Sequence, residues 1–314
     1  MGGSGGGGPF THRSPVELVD QLRSSVDDVA IKAFETELSG ILSDILASAN
    51  SRDAELVKNR LEAIKEMLRD SLEATVDTLF GGSVAKHTYV DGLSDIDSLL
   101  ILNETDLEGA APAAAIEKVT GIIRESIGRV ATVSHGKMAV TVEYQDGMQI
   151  QLLPAFRQQA GLKVPSFRHD GWSGISPESF QNALTSTNEL CGGKLIPTVK
   201  LAKSVIAQLP ESQRLSGYHI ESLAIDAFKN YRGTKTVAAM LPAFFESAKT
   251  AVKNPIRDST GQSVHVDGYM GPAGSEMRIA SSHLLSRIEK RMRNASAHQS
   301  SAQWASILGL EGEN

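Results

Sequence analysis

Cysteine is nearly absent from this sequence, which contains Cys191 alone. One thiol cannot form an intramolecular disulfide, and it cannot build a zinc site of several cysteines. Long apolar runs are absent too, because none approaches the roughly 18 residues that a membrane-spanning helix needs. No charged segment followed by an apolar one opens the chain as a signal peptide would. We therefore expect a soluble, cytoplasmic protein with no membrane partner.

An excess of positive charge is also missing. Lysine and arginine total 31 against 37 aspartates and glutamates, which gives a net charge of −6. A protein that coats long nucleic acid by bulk charge needs the opposite balance, although a local basic cleft is compatible with this one. The eight histidines show no metal-ligand spacing. With 41% hydrophobic residues, the 314-residue chain can bury the cores of about one to three domains.

Composition and periodicity divide the chain into four segments. Residues 1–9 are glycine-rich and predict a linker or the scar of a tag, and residues 10–80 predict an N-terminal helical segment. Residues 81–165 carry short apolar strands and a crossover helix, which indicates a mixed sheet, and residues 166–314 return to helical spacing. The sequence therefore predicts an α+β protein with a sheet-containing core and a helical second lobe.

Two helices are predicted in the N-terminal segment. Ser14 and Pro15 begin the first, since serine caps a helix well and proline is tolerated at the first helical position. The second is an amphipathic stretch from about Ala54 to Phe80. We expect the two helices to pack together.

One stretch of the core carries residues suited to phosphate chemistry. Gly82 and Ser83 precede a short predicted helix, where free backbone N–H groups and the helix dipole favour an anion such as a triphosphate. Asp95 and Asp97 lie two positions apart at the start of an apolar strand, so strand alternation places both carboxylates on one face. Such a pair can hold hard divalent cations, which neutralise developing charge in phosphoryl transfer.

This order, a Gly-Ser turn and then Asp-x-Asp on a strand, resembles the polymerase-β-type nucleotidyltransferase superfamily. The resemblance implies Mg²⁺ or Mn²⁺ on Asp95 and Asp97, and a third acid on a neighbouring strand. In the family that acid precedes an apolar pair and Pro-Ala, which places it at Gln151. Gln151 is therefore a departure, because a neutral amide offers a carbonyl oxygen but neither charge nor a base.

The β-hairpin around Gly147 decides which side chains share a face with Gln151. A three-residue loop with Gly147 in the left-handed conformation places Thr141, Glu143, Gln149 and Gln151 on one face and the apolar residues on the other. A two-residue Asp-Gly turn would mix the two classes. We therefore predict the longer loop.

Three interpretations of Gln151 stay open. The first is an engineered Glu→Gln change that inactivates the enzyme and traps substrates, which the linker-like N-terminus favours. The second is a natural glutamine, with Glu143 on the same face standing in as the acid. The third is a catalytically degenerate subunit that binds nucleotides without turning them over.

The helical half resembles the second lobe of the oligoadenylate synthetase and cyclic GMP-AMP synthase group. There a helical lysine reaches triphosphate oxygens, and a Ser-Tyr pair at the start of the next helix contacts phosphate and stacks a base. The resemblance implies that Lys203 contacts the triphosphate and Tyr218 stacks the base, which is worth about 1–3 kcal/mol. Gly217 stands where the family often has serine, so that hydroxyl contact is either lost or supplied by Ser216.

From about residue 76 to residue 290, the chain resembles the bacterial cGAS/DncV-like nucleotidyltransferases, or CD-NTases. The resemblance implies a polymerase-β-like core, a helical lobe, an active site in the cleft between them, and N-terminal helices forming a spine behind both. It also implies a template-independent enzyme that joins nucleoside triphosphates into a cyclic or linear oligonucleotide for anti-phage signalling. Effector or regulatory proteins are the implied partners.

An alternative keeps the same chemistry and changes the acceptor. A tail-adding nucleotidyltransferase would extend an RNA or DNA primer instead of making a small messenger. The net charge of −6 counts against a large polynucleotide acceptor.

Overall fold

The computed structural model describes residues 15–48, 54–72, 77–80, 96–159, 161–166, 170–256 and 266–310. The helices are α1 Pro15–Ser48, α2 Ala54–Leu72, α3 Pro112–Ile127, α4 Pro177–Leu190, α5 Leu195–Ala207, α6 Gly217–Phe228, α7 Val237–Ala251, α8 Glu276–Ala297 and α9 Ser301–Ile307. The strands are β1 Asp77–Phe80, β2 Ile96–Ile101, β3 Ala131–His135, β4 Val140–Tyr144, β5 Gln149–Arg157, β6 Leu162–Pro165 and β7 Trp172–Ile175. In these ranges, no helix combines the length and the apolar character needed to cross a bilayer.

The strands form one mixed sheet in the order β1-β2-β5-β4-β3. Strands β2 and β5 run parallel, whereas β1 pairs with β2, and β3 and β5 pair with β4, in the antiparallel sense. Strands β6 and β7 continue the sheet from the C-terminal end of β5. This arrangement places β2 and β5, the strands of the predicted acids, next to each other.

One face of the sheet is fully covered by helices. Alternate positions of β2, β4 and β5 point to this face and are buried against α2 and α3. The side chains at its centre are apolar and inaccessible to solvent: Leu100, Val140, Val142, Ile150 and Leu152. Burial of this face fixes the strand register, because a slip of one residue would exchange the apolar and polar sets.

The helical lobe has its own core, built from α4 to α9. Its largest buried apolar side chains are aromatic: Phe180, Phe228, Phe244, Phe245 and Trp304. Helix α1 contributes Leu38 and Leu42 to this core, whereas α2 contributes Ile64 and Leu68 to the core under the sheet. Among the described residues, each N-terminal helix thus completes the core of a different lobe.

The predicted second helix is too long. It ends at Leu72, and Asp77–Phe80 is strand β1, paired with β2 as an edge strand of the sheet. A valine, a threonine and an aromatic residue between positions 76 and 80 favour a strand, and pairing with β2 outweighs the helical spacing. Strands β3, β6 and β7 and helix α9 were not predicted from the sequence.

Candidate functional site

The β4–β5 hairpin has the predicted three-residue loop. Gly147 adopts a φ of 82°, and the Tyr144 N–H donates to the Met148 carbonyl oxygen at 2.9 Å. Gln145, Asp146 and Gly147 therefore form the loop, and Glu143 pairs with Gln149. The prediction of the turn, and of the side chains that share a face with Gln151, is confirmed.

Arg60 of helix α2 contacts the loop of this hairpin. Its guanidinium donates two hydrogen bonds to the Asp146 carboxylate, at 3.0 and 2.9 Å, and lies 3.9 Å from the centre of the Tyr144 ring. The bond from Arg60, helped by the Met148 N–H, lowers the pKa of Asp146. The loop is thus tied to the helix that covers the sheet.

A row of polar positions crosses the uncovered part of the sheet. Asp97 pairs with Gln151, Gln151 pairs with Thr141, and Thr141 pairs with Ser134. Neighbouring strands lie about 4.8 Å apart, so the backbones of Asp97 and position 151 are close enough for two acids to share an ion. Gln151 and Thr141 are half-buried and Ser134 is exposed, so the row is accessible to a ligand.

Glu143 lies farther from Asp97 than Gln151 does. It belongs to a second row, where it pairs with Gln149 and Thr132. Glu143 lies two strand positions from Asp97 across the sheet, and it is offset by two residues along the strand. At about 4.8 Å per strand and 3.3 Å per residue, the backbones of the two residues are about 12 Å apart. Position 151 is therefore the better-placed partner for Asp97.

Beyond the polar rows, the same face becomes apolar. Leu99 and Ile101 of β2 and Ala155 of β5 are covered by Leu162 and Val164 of β6. Only the half of the face near the start of β2 is left polar. The predicted residues Gly82, Ser83 and Asp95, and the side chain of Asp97, lie outside what the structure describes.

Lys203 lies in α5 and is buried in an ion pair. Its Nζ donates to Glu221 Oε1 of α6 at 2.9 Å, and the two side chains are 5% and 1% exposed. A buried charge is tolerated only with such a partner, because desolvation is costly. The pair joins the two helices that carry the predicted nucleotide contacts.

Lys203 passes close to Gly217 on its way to Glu221. A Cβ at Gly217 would lie 3.4 Å from Lys203 Nζ and 3.5 Å from its Cε, in ordinary van der Waals contact, so the lysine crosses the first turn of α6 beside the glycine. Glu221 follows one turn later on the same face of α6. The ammonium group is thereby placed beside the N-terminus of α6, where Ser216 is the N-cap.

A second lysine lies one turn before Lys203 on the same face of α5. Lys200 is half-buried, and burial, followed by the charge of Lys203, lowers its pKa. Two ammonium groups held close together repel each other, and an anion between them relieves that repulsion. The sequence analysis missed Lys200, although the i, i+3 spacing to Lys203 was its signal.

Ser216 and Tyr218 lie together at the start of α6. Ser216 Oγ accepts a hydrogen bond from the His219 N–H at 3.3 Å, as an N-cap does. The ring of Tyr218 packs against Phe180 of α4, with 4.6 Å between centroids and a 41° tilt. The structure thus brings Lys203, Ser216 and Tyr218 to one end of α6, beside Gly217.

The sequence matches a known family over the sheet lobe and the helix that follows it. Residues 33–188 match the profile of the Second Messenger Oligonucleotide or Dinucleotide Synthetase domain, SMODS. The matched range contains Asp97 and Gln151 and ends in α4. None of the curated proteins has a sequence that matches this chain.

The fold is similar to that of several solved structures. The Bradyrhizobium diazoefficiens CD-NTase CdnG, in complex with GTP, has a TM-score of 0.68 at 13% identity and covers 87% of this chain and 97% of its own. The Vibrio cholerae cyclic AMP-GMP synthase DncV has 0.61 at 10% identity, covering 95% and 90%. Escherichia coli MS115-1 CdnC with ATP has 0.60 at 15% identity, covering 89% and 96%. The likeness covers both lobes.

Proposed function

The chain belongs to the cGAS/DncV-like nucleotidyltransferases, the CD-NTases, and we propose that it makes a second-messenger oligonucleotide from nucleoside triphosphates. The product is cyclic or linear, synthesis needs no template, and the messenger serves anti-phage signalling in the cytoplasm. A ribose hydroxyl of one nucleotide attacks the α-phosphorus of another, a new P–O bond forms, and pyrophosphate leaves. The hydroxyl proton passes to a carboxylate or to water.

The observation that carries this proposal is the pairing of Asp97 with Gln151 across two parallel strands. It supports position 151 as that of the third acid, next to the Asp-x-Asp strand. A carboxylate at 151 would add charge and a proton acceptor beside Asp97, whereas the amide adds neither. Asp95 and Asp97 act as the other two acids.

The side-chain chemistry of this position suits a hard divalent cation. Asp95, Asp97 and Gln151 can coordinate a metal only through oxygen atoms, which Mg²⁺ and Mn²⁺ prefer. We assign Asp95 and Asp97 as the metal ligands. A bound metal would neutralise charge on the phosphates. The amide at 151 contributes a weaker, uncharged oxygen in place of the family's third carboxylate.

The start of α6, together with the lysines of α5, binds the triphosphate and the base. Lys203 and Lys200 supply positive charge, and Ser216 supplies a hydroxyl. Tyr218, whose ring orientation is fixed by Phe180, stacks on the base. Gly82 and Ser83 contact the phosphates from the sheet lobe.

The geometry favours one explanation of Gln151 over another. Glu143 lies about 12 Å from the backbone of Asp97, against about 4.8 Å for position 151, so it is a poor substitute for the missing acid. The remaining explanations are an inactivating Glu→Gln change and a degenerate binding subunit. We favour the inactivating change, because the other two predicted acids, Asp95 and Asp97, are both present in the sequence.

Restoring the acid tests the proposal. The Q151E protein is incubated with each of the four ribonucleoside triphosphates and their mixtures, with Mg²⁺ or Mn²⁺, and product mass is determined. We expect oligonucleotide products from Q151E, at least about 100-fold above those of the unsubstituted chain. The matched control is Q149E, which adds the same charge in the second polar row and should not restore synthesis.

Three results would contradict parts of the proposal. Nucleotide binding without turnover in Q151E would indicate a binding subunit. Synthesis that requires an added RNA or DNA primer would indicate a tail-adding enzyme. Equal products from Q149E and Q151E would remove the special role of position 151.

A protein partner is proposed from a structurally similar complex. CdnC of Escherichia coli MS115-1 has been solved in a complex with a HORMA protein, and its structure in that complex has a TM-score of 0.59 to this chain. We propose that an effector or regulatory protein also acts with this chain. Co-purification with the proteins encoded beside it would test this.

A further inference from the structure

A network of buried polar side chains lies behind the first turn of α6. Its members are His219 of α6, Tyr269 and Asp267 of the segment before α8, and Arg278 of α8. His219, Asp267 and Arg278 are each 0% exposed. The functions proposed for Lys203, Ser216 and Tyr218 make no use of this network.

Tyr269 connects the N-cap of α6 to His219. Its hydroxyl oxygen accepts a hydrogen bond from the Ser216 N–H at 3.1 Å and lies 2.9 Å from His219 Nδ1. Because that oxygen already accepts from Ser216, we assign its own proton to the bond with Nδ1, which makes His219 a neutral ring with its proton on Nε2. Burial, the largest cause, lowers the pKa of His219 to about 4, in agreement with a neutral ring.

The other end of the network is anchored by Arg278. Its guanidinium donates to Asp267 Oδ2 at 2.7 Å and to the carbonyl oxygens of Val252, Asn254 and Gly271. Asp267 Oδ2 lies 3.9 Å from His219 Nε2, which is too far for a hydrogen bond. The start of α6 is therefore bonded to Tyr269, and Asp267, two residues before Tyr269, is bonded to Arg278 at the beginning of α8.

We infer that Tyr269 is a positioning residue for the bound nucleoside triphosphate, acting through the first turn of α6. The inference rests on the proposed function, in which Ser216 contacts phosphate and Tyr218 stacks the base. Tyr269 fixes the Ser216 backbone and, through His219, the turn that carries Tyr218. A binding surface held in place before the ligand arrives loses less conformational entropy on binding.

The test compares two deletions of a phenol hydroxyl in the same lobe. Y269F removes the network bond, whereas Y231F, the matched control, removes a hydroxyl that donates to the Thr234 carbonyl at 3.3 Å. Dissociation constants of the full chain for ATP and GTP are measured by calorimetry with Mg²⁺, beside the melting temperature. We expect Y269F to raise the dissociation constant about 3- to 10-fold, and Y231F to change it less than twofold.

Substitution of His219 keeps the inference testable if Y269F does not fold. H219N places an amide oxygen near the position of Nδ1, so it can still accept the Tyr269 proton and should retain nucleotide affinity. H219L has no acceptor and should lose affinity as Y269F does. In the Q151E protein, Y269F and H219L should raise KM and leave kcat little changed, because the network does not touch the reacting atoms.

The outcomes separate this inference from the proposed function. If Y269F and H219L bind ATP and GTP as well as Y231F does, the inference is overturned. A second possible result is that Q151E makes no product, while the unsubstituted chain binds nucleotide and Y269F does not. That result would refute the proposed catalytic activity and leave the positioning role of Tyr269 standing. If the unsubstituted chain binds no nucleoside triphosphate, both fail.

Discussion

In the sheet lobe, Gln151, Thr141 and Ser134 lie side by side on a face that solvent reaches, and none of the three is charged. In the helical lobe, by contrast, Lys203 and Arg278 are buried, and each is paired with a carboxylate within hydrogen-bonding distance. A buried charge is kept only where a partner offsets its desolvation, whereas an exposed strand face needs none. The two lobes therefore hold their polar groups in different ways.

The difference assigns separate roles to the lobes. The paired charges of the helical lobe are set before any ligand binds, so in the proposed function they position the nucleotide. In the polar row of the sheet, Gln151 carries no formal charge, and the substitution Q151E would introduce one. We therefore expect changes in the sheet to alter turnover, and changes in the helical lobe to alter affinity and stability.

The largest expected effect is at Asp97. In the Q151E protein, D97N should reduce product formation by at least about 10²- to 10³-fold, because it removes a charge beside the reacting phosphate. Mass-resolved initial rates measure this. T141V is the matched control, since Thr141 is the other neighbour of position 151, and it should change the rate less than about threefold. A D97N protein as active as T141V would contradict the assignment of the polar row.

The Lys203–Glu221 pair is the next target. K203M or E221M alone leaves one buried charge without the partner it has now, which should cost about 3–5 kcal/mol of unfolding free energy. The double variant K203M/E221M should recover most of this loss in urea unfolding. It should nevertheless bind ATP more weakly than the unsubstituted chain. Recovery of stability together with full affinity would remove Lys203 from the nucleotide site.

The sequence predicted the hairpin of the sheet lobe better than the side-chain contacts of the helical lobe. Strand alternation and the conformation of Gly147 follow from local rules, so the side chains that share a face with Gln151 could be derived before the structure. The helical periodicity of 54–80 was misleading, because only pairing with β2 makes Asp77–Phe80 a strand. That pairing is a long-range contact that local spacing does not encode.

The partners of the helical-lobe residues could not be predicted for a related reason. Lys203 and Glu221 are 18 residues apart and meet because α5 packs on α6. Tyr269 reaches Ser216 from an irregular segment 53 residues later. The resemblance to known families pointed to Lys203 and Tyr218, but not to the residues that hold them in place.

Acid should destabilise the helical lobe first. The pKa of His219 is about 4 in the folded chain against 6.5 unfolded, so the unfolded state binds more protons between these values. Stability is full above about pH 6.5 and falls as the pH drops toward 4, by about 3 kcal/mol in total. Urea unfolding from pH 7 to pH 4 measures this. H219N should flatten the dependence, while H135N, at an exposed position of the sheet lobe, should keep it.

The sheet lobe should respond to acid later and by less. Arg60 lowers the pKa of Asp146 below its usual 3.8, so this bond stabilises the folded state above that value and is lost as the pH falls further. D146N should therefore lower the urea midpoint slightly at pH 7 and by less at about pH 2.5. Hydrogen exchange of Tyr144 and Met148 would follow the hairpin directly. An equal effect of D146N at both pH values would mean that Arg60 holds the loop through Tyr144 rather than through the carboxylate.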